Sequence, residues 1–414
     1  MNESKGEQVY QVQLDRRYRL GFFWRIIFQI STIVGIIALM ALLYNIVDSA
    51  FGYVAVENTI QPEALAVNGV PLEDQSKAQL VAVLKANISE GLFRRFENDM
   101  PFDQRTKADV LNLIEERVIE LKVVETWSLT DSLLRPAEVR AEAASEYPNA
   151  RLQFSSWLDP EFISTPQSGD AQRAGVRTAI LGSLWVIAIT IAFAFPIGVG
   201  AAIYLEEYAR DNWINRVIQT NINNLAGVPS IIYGILGLAI LVRALEPLTS
   251  GALFGLTDPT TANGRTILSA GMTLGLLILP LIIINAQEAI RAVPSSLRQA
   301  SYGLGASKWE TIWHHVLPNA LPGILTGAIL AISRAIGETA PLVVVGASTF
   351  ITVDPSGPFS KFTTLPIQIY QWTARPQDVF RNLAAAAILV LLVLLLTLNA
   401  SAVLLRNRYG RRLT

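Results

Sequence analysis

"IIFQISTIVGIIALMALLYNIV", Ile26–Val47, contains no charged residue. A helix rises about 1.5 Å per residue, so roughly 20 apolar residues cross a hydrocarbon core of about 30 Å. Lipid offers no partner to an exposed amide, so a segment of this kind must satisfy its own backbone as a helix. Basic residues precede it, as they would a signal peptide. The run exceeds the roughly 7–15 residues of a signal core, however, and no clear A-x-A site follows. It reads as a retained anchor.

Five further runs of this type follow, near Thr178–Leu205, Val217–Val242, Thr266–Asn285, Ala320–Phe350 and Asn382–Leu405. The chain has 414 residues, of which 51% are hydrophobic and 16% charged, against about 25% charged in a soluble domain. A net charge of −1 gives no reason to expect nucleic acid. The absence of cysteine excludes disulfides, thiolate metal sites and cysteine nucleophiles. His314 and His315, adjacent and alone, are poor material for a metal site or a Ser-His triad. The expected fold is mainly α: a polytopic bundle of six transmembrane helices, with no catalytic residue, metal or cofactor.

Lys and Arg in short flanks set orientation. Arg16, Arg17, Arg19 and Arg25 precede the first run, and Arg406, Arg408, Arg411 and Arg412 follow the last. Six spans put both tails on one side, which the charges make cytoplasmic. Arg291, Arg298 and Lys308, between the fourth and fifth runs, then fall on that side too. The expected organisation is a cytoplasmic tail 1–25, a first transmembrane helix 26–47, an extracytoplasmic insertion 48–176, a five-helix core 177–405 and a cytoplasmic tail 406–414. The insertion is charged, with stretches such as "KADVLNLIEERVIELKVVE" (Lys107–Glu125) that read as helical. It is long enough for a small folded domain. It carries no catalytic or metal constellation, and reads as a structural or docking element.

Pro196, Pro229, Pro280 and Pro341 fall inside or near the spans. Such interruptions are tolerated where neighbouring helices or a water-filled cavity satisfy the freed backbone. Gly323 and Gly327, in "GILTG", permit close helix approach. The fifth run contains "AISRAIGETAPLVVVGA", Ala331–Ala347, with Arg334 and Glu338 four residues apart, near the middle of the run and on one face of a helix. A charge at the bilayer centre costs about 2.5–3.5 kcal/mol on insertion scales, so intramembrane ionisable groups mark functional sites by default. Either the two pair and hold the bundle, or they line an anion route. In the second case the planar Arg334 suits an oxyanion, Glu338 offsets its charge at rest, and Ser333 and Thr339 add hydroxyl donors.

The segment "EAIRAVPSSLRQASYGLGASKWETIWHHVLPNALPG", Glu288–Gly323, is readable as an elbow. Pro294 with Ser295 and Ser296 starts a short helix, and Gly303 and Gly305 end it. Ser307 and Glu310 form an S-x-x-E capping box that starts a second. Pro318 and Pro322 are expected to end that helix and open the fifth span. Leu304, Trp309 and Trp313 lie in a polar setting, either in the headgroup belt or as a knob for a partner.

This segment resembles the EAA loop of ABC-type importer permeases: E-A-A, three residues, G, nine residues, I-x-L-P. Here it reads Gln299-Ala300-Ser301, Gly305, then His315-Val316-Leu317-Pro318. Gln299 replaces the glutamate and His315 the isoleucine, with the spacing intact. The stretches "GVPSIIYGILGLAI" (Gly227–Ile240), "ISRAIGETAPL" (Ile332–Leu342) and "TTLPIQIYQWTARP" (Thr363–Pro376) are similar to phosphate-importer permeases of the PstA type. The resemblance covers about residues 170–414 and implies a non-catalytic transport subunit in the plasma (inner) membrane of a prokaryote. In it the coupling loop 288–318, with Gln299, Ala300, Gly305, Trp309, Leu317 and Pro318, sits in a groove of an ATPase. Implied partners are a homodimeric ATPase (PstB type), a second permease (PstC type), an external phosphate-binding protein (PstS type), phosphate and membrane lipid. No G-x-x-x-x-G-K-[ST] motif occurs, so ATP is left to a partner. A permease for another oxyanion, such as molybdate or sulfate, and a membrane sensor using 48–176 are the alternatives. A sensor needs fewer spans and no charged midplane.

Overall fold

The computed structural model describes residues 3–67, 69–119, 121–256, 264–347 and 350–410. Arg411 and Arg412 of the C-terminal basic block lie outside them, as do residues 348–349 near the end of the fifth run. By length and composition, five described helices could cross a membrane: Arg17–Ala50, Arg177–Tyr208, Ile267–Arg291, Lys308–Gly337 and Asp378–Arg408. A sixth crossing is formed if Trp213–Ala226 and Ser230–Ala244, bent by 105°, count as one.

The first helix, α1 (Glu3–Ala50), runs directly into strand β1 (Phe51–Asn58). There follow α2 (Lys77–Asn87), α3 (Glu90–Asp99), α4 (Lys107–Ile114), β2 (Leu121–Thr126), α5 (Leu129–Leu134), α6 (Pro136–Glu146), β3 (Arg151–Ser156) and α7 (Pro160–Ser164). The strands make one antiparallel sheet in the order β2-β1-β3, with Val56 opposite Val123 and Tyr53 opposite Phe154. The stretch Lys107–Glu125, read as helical, is helical only to Ile119, its last turn being a π-turn; it then becomes strand. Val123 and Val124 favour the pleat, and pairing with β1, more than 60 residues away, decides the matter.

Two cores hold this segment. Leu80, Leu84, Phe102, Val110 and Ile114 pack among α2, α4 and the loops around them. Val54, Trp157 and Phe162 instead join Val176, Leu365, Trp372, Phe380 and Leu383, so the sheet is seated on the ends of the long helices. At the exit of α1, Asp48 accepts from the Thr130 N–H (2.7 Å) and hydroxyl (2.6 Å), and the Tyr44 hydroxyl bonds Thr130.

The bundle comprises α8 (Arg177–Ile203), α9 (Trp213–Ala226), α10 (Ser230–Gly237), α11 (Glu246–Thr249), α12 (Ile267–Arg291), α13 (Ser295–Gly303), α14 (Lys308–Thr311), α15 (Leu317–Gly337), α16 (Ala340–Val345), α17 (Leu365–Thr373) and α18 (Asp378–Gly410). Helix α12 is the hub, packed on α8 and α15, and most of its side chains from Ile267 to Ile290 are buried. The GILTG spacing works as expected: a Cβ on Gly323 would lie 2.8 Å from Ala289 Cβ, and one on Gly327 2.3 Å from Asn285 Cβ. Glycine is what lets α15 lie against α12 here.

The interruption expected at Pro229 is a full break, and two further expectations about the spans need correction. The third run is two helices, because Pro229 cannot donate and disfavours helical Val228, so the chain turns after Gly227. The fifth run is helical only to Gly337, and resumes in α16 after a two-residue break. Pro318 and Pro322 do not end the elbow's second helix. A π-turn at Ile312–Val316, in which the Leu317 N–H bonds the Ile312 carbonyl, carries one continuous helix from Lys308 to Gly337.

Candidate functional site

Arg334 lies in the last turn of α15, where unpaired helix carbonyls favour a cation. Glu338 is the C-cap residue, with extended backbone (φ −75°, ψ 125°). The pair therefore does not share a face of an unbroken helix: the carboxylate lies past the last turn and reaches back. Arg334 Nε and Glu338 Oε1 are 3.4 Å apart, and the side chains are 46% and 18% exposed. Charge-assisted N–H···O bonds are normally about 2.7–2.9 Å. This is one long contact, and Arg334 makes no other hydrogen bond among the described residues.

Depth follows from register. Gly323 meets Ala289 and Gly327 meets Asn285. Carried along the antiparallel pair, the same register sets Arg334 level with Ile278, midway along α12. The cluster of Ala331 and Ala335 with Leu277, Ile278 and Ile282 agrees. The break above Arg334 is packed tightly: a Cβ on Gly234 of α10 would lie 2.6 Å from Pro341 Cα.

The two hydroxyls differ. Ser333 Oγ lies 2.8 Å from the Ile329 carbonyl and 2.7 Å from Asn399 Oδ1 of α18, so it is committed to holding α15 against the last helix. Thr339, half-buried, makes no capping bond and stands in the break with Glu338.

The elbow is built as its sequence implies. Helix α13 begins after Pro294 and ends at Gly303, and Gly305 takes φ +86°. The Ser307–Glu310 capping box is complete: the Ser307 N–H and hydroxyl each donate to Glu310 Oε2 at 2.7 Å, and the Glu310 N–H donates to Ser307 Oγ at 3.3 Å. The hydroxyls of Ser301 and Thr311, buried and 2.9 Å apart, pin the two helices together. On the outer surface Gln299 and Ala300 are exposed, Leu304 is 90% exposed, and Trp309 stacks on Trp313 with ring centroids 5.4 Å apart. Leu317 and Pro318 face the other way, half-buried beside the cluster of Val316, Ala320 and Ile290.

Glu206 and Glu207 lie in a π-turn, Tyr204–Tyr208, that continues α8, and are not among the residues the sequence motifs mark. Arg298 Nε and Nη2 donate to Glu207 Oε1 at 3.0 and 2.8 Å, and Arg298 also donates to the Val293 and Ile290 carbonyls. Arg291 Nη2 lies 2.6 Å from Glu206 Oε1, and Lys308 covers the Tyr208 ring. These contacts clamp the elbow to α8. The available signal was two carboxylates at the end of the second run, on the same side as Arg291 and Arg298.

No group of three or more metal-ligating side chains occurs among the described residues. Residues 194–413 match the family described as "Binding-protein-dependent transport system inner membrane component". The chain is 32% identical over 261 residues to "Probable ABC transporter permease protein YqgI" of Bacillus subtilis, covering 59% of this chain and 83% of that one. It is 34% identical over 239 residues to "Phosphate transport system permease protein PstA 1" of Mycobacterium tuberculosis H37Rv, covering 58% and 71%. A solved structure of the MetNI methionine ABC transporter aligns at 18% identity and TM-score 0.42, over 56% of this chain and 97% of its own. The chain belongs to the binding-protein-dependent transport system inner membrane component family, as a multi-pass permease of the ABC type.

Proposed function

We propose that this chain forms half of the translocation pathway of an ATP-driven phosphate importer. In this reading 48–176 faces outward, both termini and the elbow face the cytoplasm, and the elbow seats on a separate ATPase dimer through Gln299, Ala300, Leu304 and Trp309. A second permease completes the pathway, and an external binding protein delivers phosphate. Three basic blocks agree on this orientation, and relatives are named as phosphate permeases.

The observation that carries the reading is Arg334: a guanidinium level with the middle of α12, held by a single contact of 3.4 Å. Its planar donors can bind two phosphate oxygens at once. Glu338 balances the charge at rest and keeps the anion weakly enough held to leave. Thr339 adds a donor at the break; Ser333 contributes through its tie to Asn399.

Uptake of labelled phosphate and yield of assembled complex, measured together, test this. Arg334→Gln is expected to abolish uptake with complex yield retained. Arg334→Lys is expected to be poor as well, since lysine lacks the planar fork. Glu338→Gln is expected to slow release rather than prevent binding. Recovery of uptake in the double Arg334→Gln/Glu338→Gln variant would make the pair a structural bridge and refute the assignment.

A further inference from the structure

Six of the twelve described arginines of the bundle carry a carboxylate partner. Arg177 pairs with Asp354, Arg216 with Asp211, Arg291 with Glu206, Arg298 with Glu207, Arg334 with Glu338 and Arg381 with Asp378. Of the six without one, Arg375 lies over the Phe380 ring and Arg406 bonds Asn407 and Thr326, Arg210 and Arg408 stand apart from each other near the ends of their helices, and Arg243 and Arg265 meet at one turn. These last two are exposed, and neither makes a side-chain hydrogen bond or ion pair among the described residues.

The fold brings their backbone positions to one turn. Arg243 is the penultimate residue of the π-helical continuation of α10, Leu238–Ala244, and Arg265 immediately precedes the N-cap of α12. A Cβ on Gly264 would lie 2.7 Å from the Val242 carbonyl, so the residues that follow each, 243 and 265, are neighbours across this contact. Lys361, also exposed, follows Ser360, whose carbonyl accepts from the Ile267 N–H at 3.1 Å. Glu246 reaches the same turn, its Cγ 3.4 Å from that Gly264 Cβ position, but forms no ion pair among the described residues.

Helix α16 links this place to Arg334. Its lower end begins at the Glu338–Thr339 break. Its upper end is capped by Gly346 (φ +108°), where a Cβ would lie 2.5 Å from Arg265 Cδ and 2.9 Å from Nε. The Arg265 side chain thus lies across the top of α16. From the level of Ile278 to Arg265 along α12 is about 20 Å.

The surrounding charge makes cations here conspicuous. Residues 48–176 hold 21 Asp and Glu against 12 Lys and Arg, leaving 13 acidic against 21 basic in the rest of the chain. The segment seated on this end of the bundle therefore repels anions.

We propose that Arg243 and Arg265 form an outer receiving site for a phosphate oxyanion, one stage before Arg334, with α16 as the wall between the two. The proposal rests on reading the chain as an anion permease. The two guanidiniums offer a dianion two bidentate forks. They also offset the acidic segment, lowering the electrostatic barrier between delivery and the midplane.

The test uses the cysteine-free chain in the whole reconstituted complex, with labelled inorganic phosphate outside and loaded binding protein at a concentration that saturates the parent complex. Arg243→Cys/Arg265→Cys is expected to slow uptake per assembled complex about tenfold at low salt. The deficit should shrink as salt rises toward 0.5 M, where the screening length falls to about 4–5 Å. A trimethylammonium-ethyl thiol reagent should restore uptake, and a sulfonatoethyl reagent should deepen the loss. Equal effects of the two reagents, or an unaffected double variant beside a transporting parent, would overturn the outer site while leaving the permease reading intact. A deficit removed by tenfold more binding protein would assign the arginines to protein docking and overturn it. Reduced complex yield with normal uptake per complex would assign them to assembly of the complex, with the same consequence. A parent complex that moves no phosphate would refute the permease reading itself, and the outer site with it.

Discussion

Glu207→Ala should loosen the elbow without loosening the bundle. Arg298 and Glu207 are 19% and 7% exposed and joined by two bonds of 3.0 and 2.8 Å. Removing one partner of a fully buried pair costs about 3–5 kcal/mol, most of it from the charge left behind. Arg298 would keep two carbonyl partners, at 2.7 and 2.9 Å, and some contact with water. These reduce the expected cost to about 2–3 kcal/mol, or roughly 30- to 150-fold in a local opening equilibrium. Hydrogen exchange across Ser295–Gly303 should accelerate by that factor, while the middle of α12 stays protected. Glu207→Gln keeps an acceptor and should fall between the two. Unchanged exchange in α13 would show that Arg298 does not hold the elbow. Equal acceleration in α12 would show that the clamp and the bundle open as one unit, and would refute a local role.

Gly305→Val should uncouple ATP hydrolysis from uptake with the subunit still in the membrane. A β-branched residue at φ +86° costs about 1–3 kcal/mol even though no atom blocks the space; normal uptake by the variant would dismiss this. Single cysteines at Asp103 and Glu310 should respond oppositely to an impermeant thiol reagent on intact cells, and labelling at Glu310 but not Asp103 would reverse the orientation. Asp109 has its carboxyl held below its ordinary 3.8, chiefly by the Thr106 N–H and hydroxyl. Its capping contribution to α4 is therefore complete above about that pH and is lost as pH falls through the lowered value. Asp109→Asn should flatten the acid end of the helical circular dichroism profile relative to the parent, and identical profiles would rule the cap out as a source of acid sensitivity.

Much of the site was legible because its signals are local. The elbow could be read residue by residue: Pro294 opens a helix, Gly305 supplies the left-handed turn, and Ser307 with Glu310 caps the next helix. Arg334 and Glu338 stood out because charge in an apolar run is expensive wherever it falls. Their geometry was not legible. Helical spacing placed them on one face, whereas the chain stops being helical between them.

By itself the sequence determined that this chain lives in a membrane, because crossing hydrocarbon requires an unbroken apolar length, and length is a property of the run alone. It also determined the form of the elbow, since its caps and glycines need nothing beyond their neighbours in the chain, and it carried the motifs in which the chain resembles importer permeases. Only the tertiary structure decided which prolines break a helix. Pro196 and Pro280 remain inside α8 and α12, while Pro229 and Pro341 head new helices. What differs is whether surrounding helices hold the backbone in line, as α12 and its neighbours do, or fill the break, as α10 does against Pro341. The pairings of Arg298 with Glu207, Ser333 with Asn399, and β1 with β2 and β3 join residues from 63 to about 100 positions apart. No local pattern encodes such contacts, because each depends on where the packed helices carry the chain.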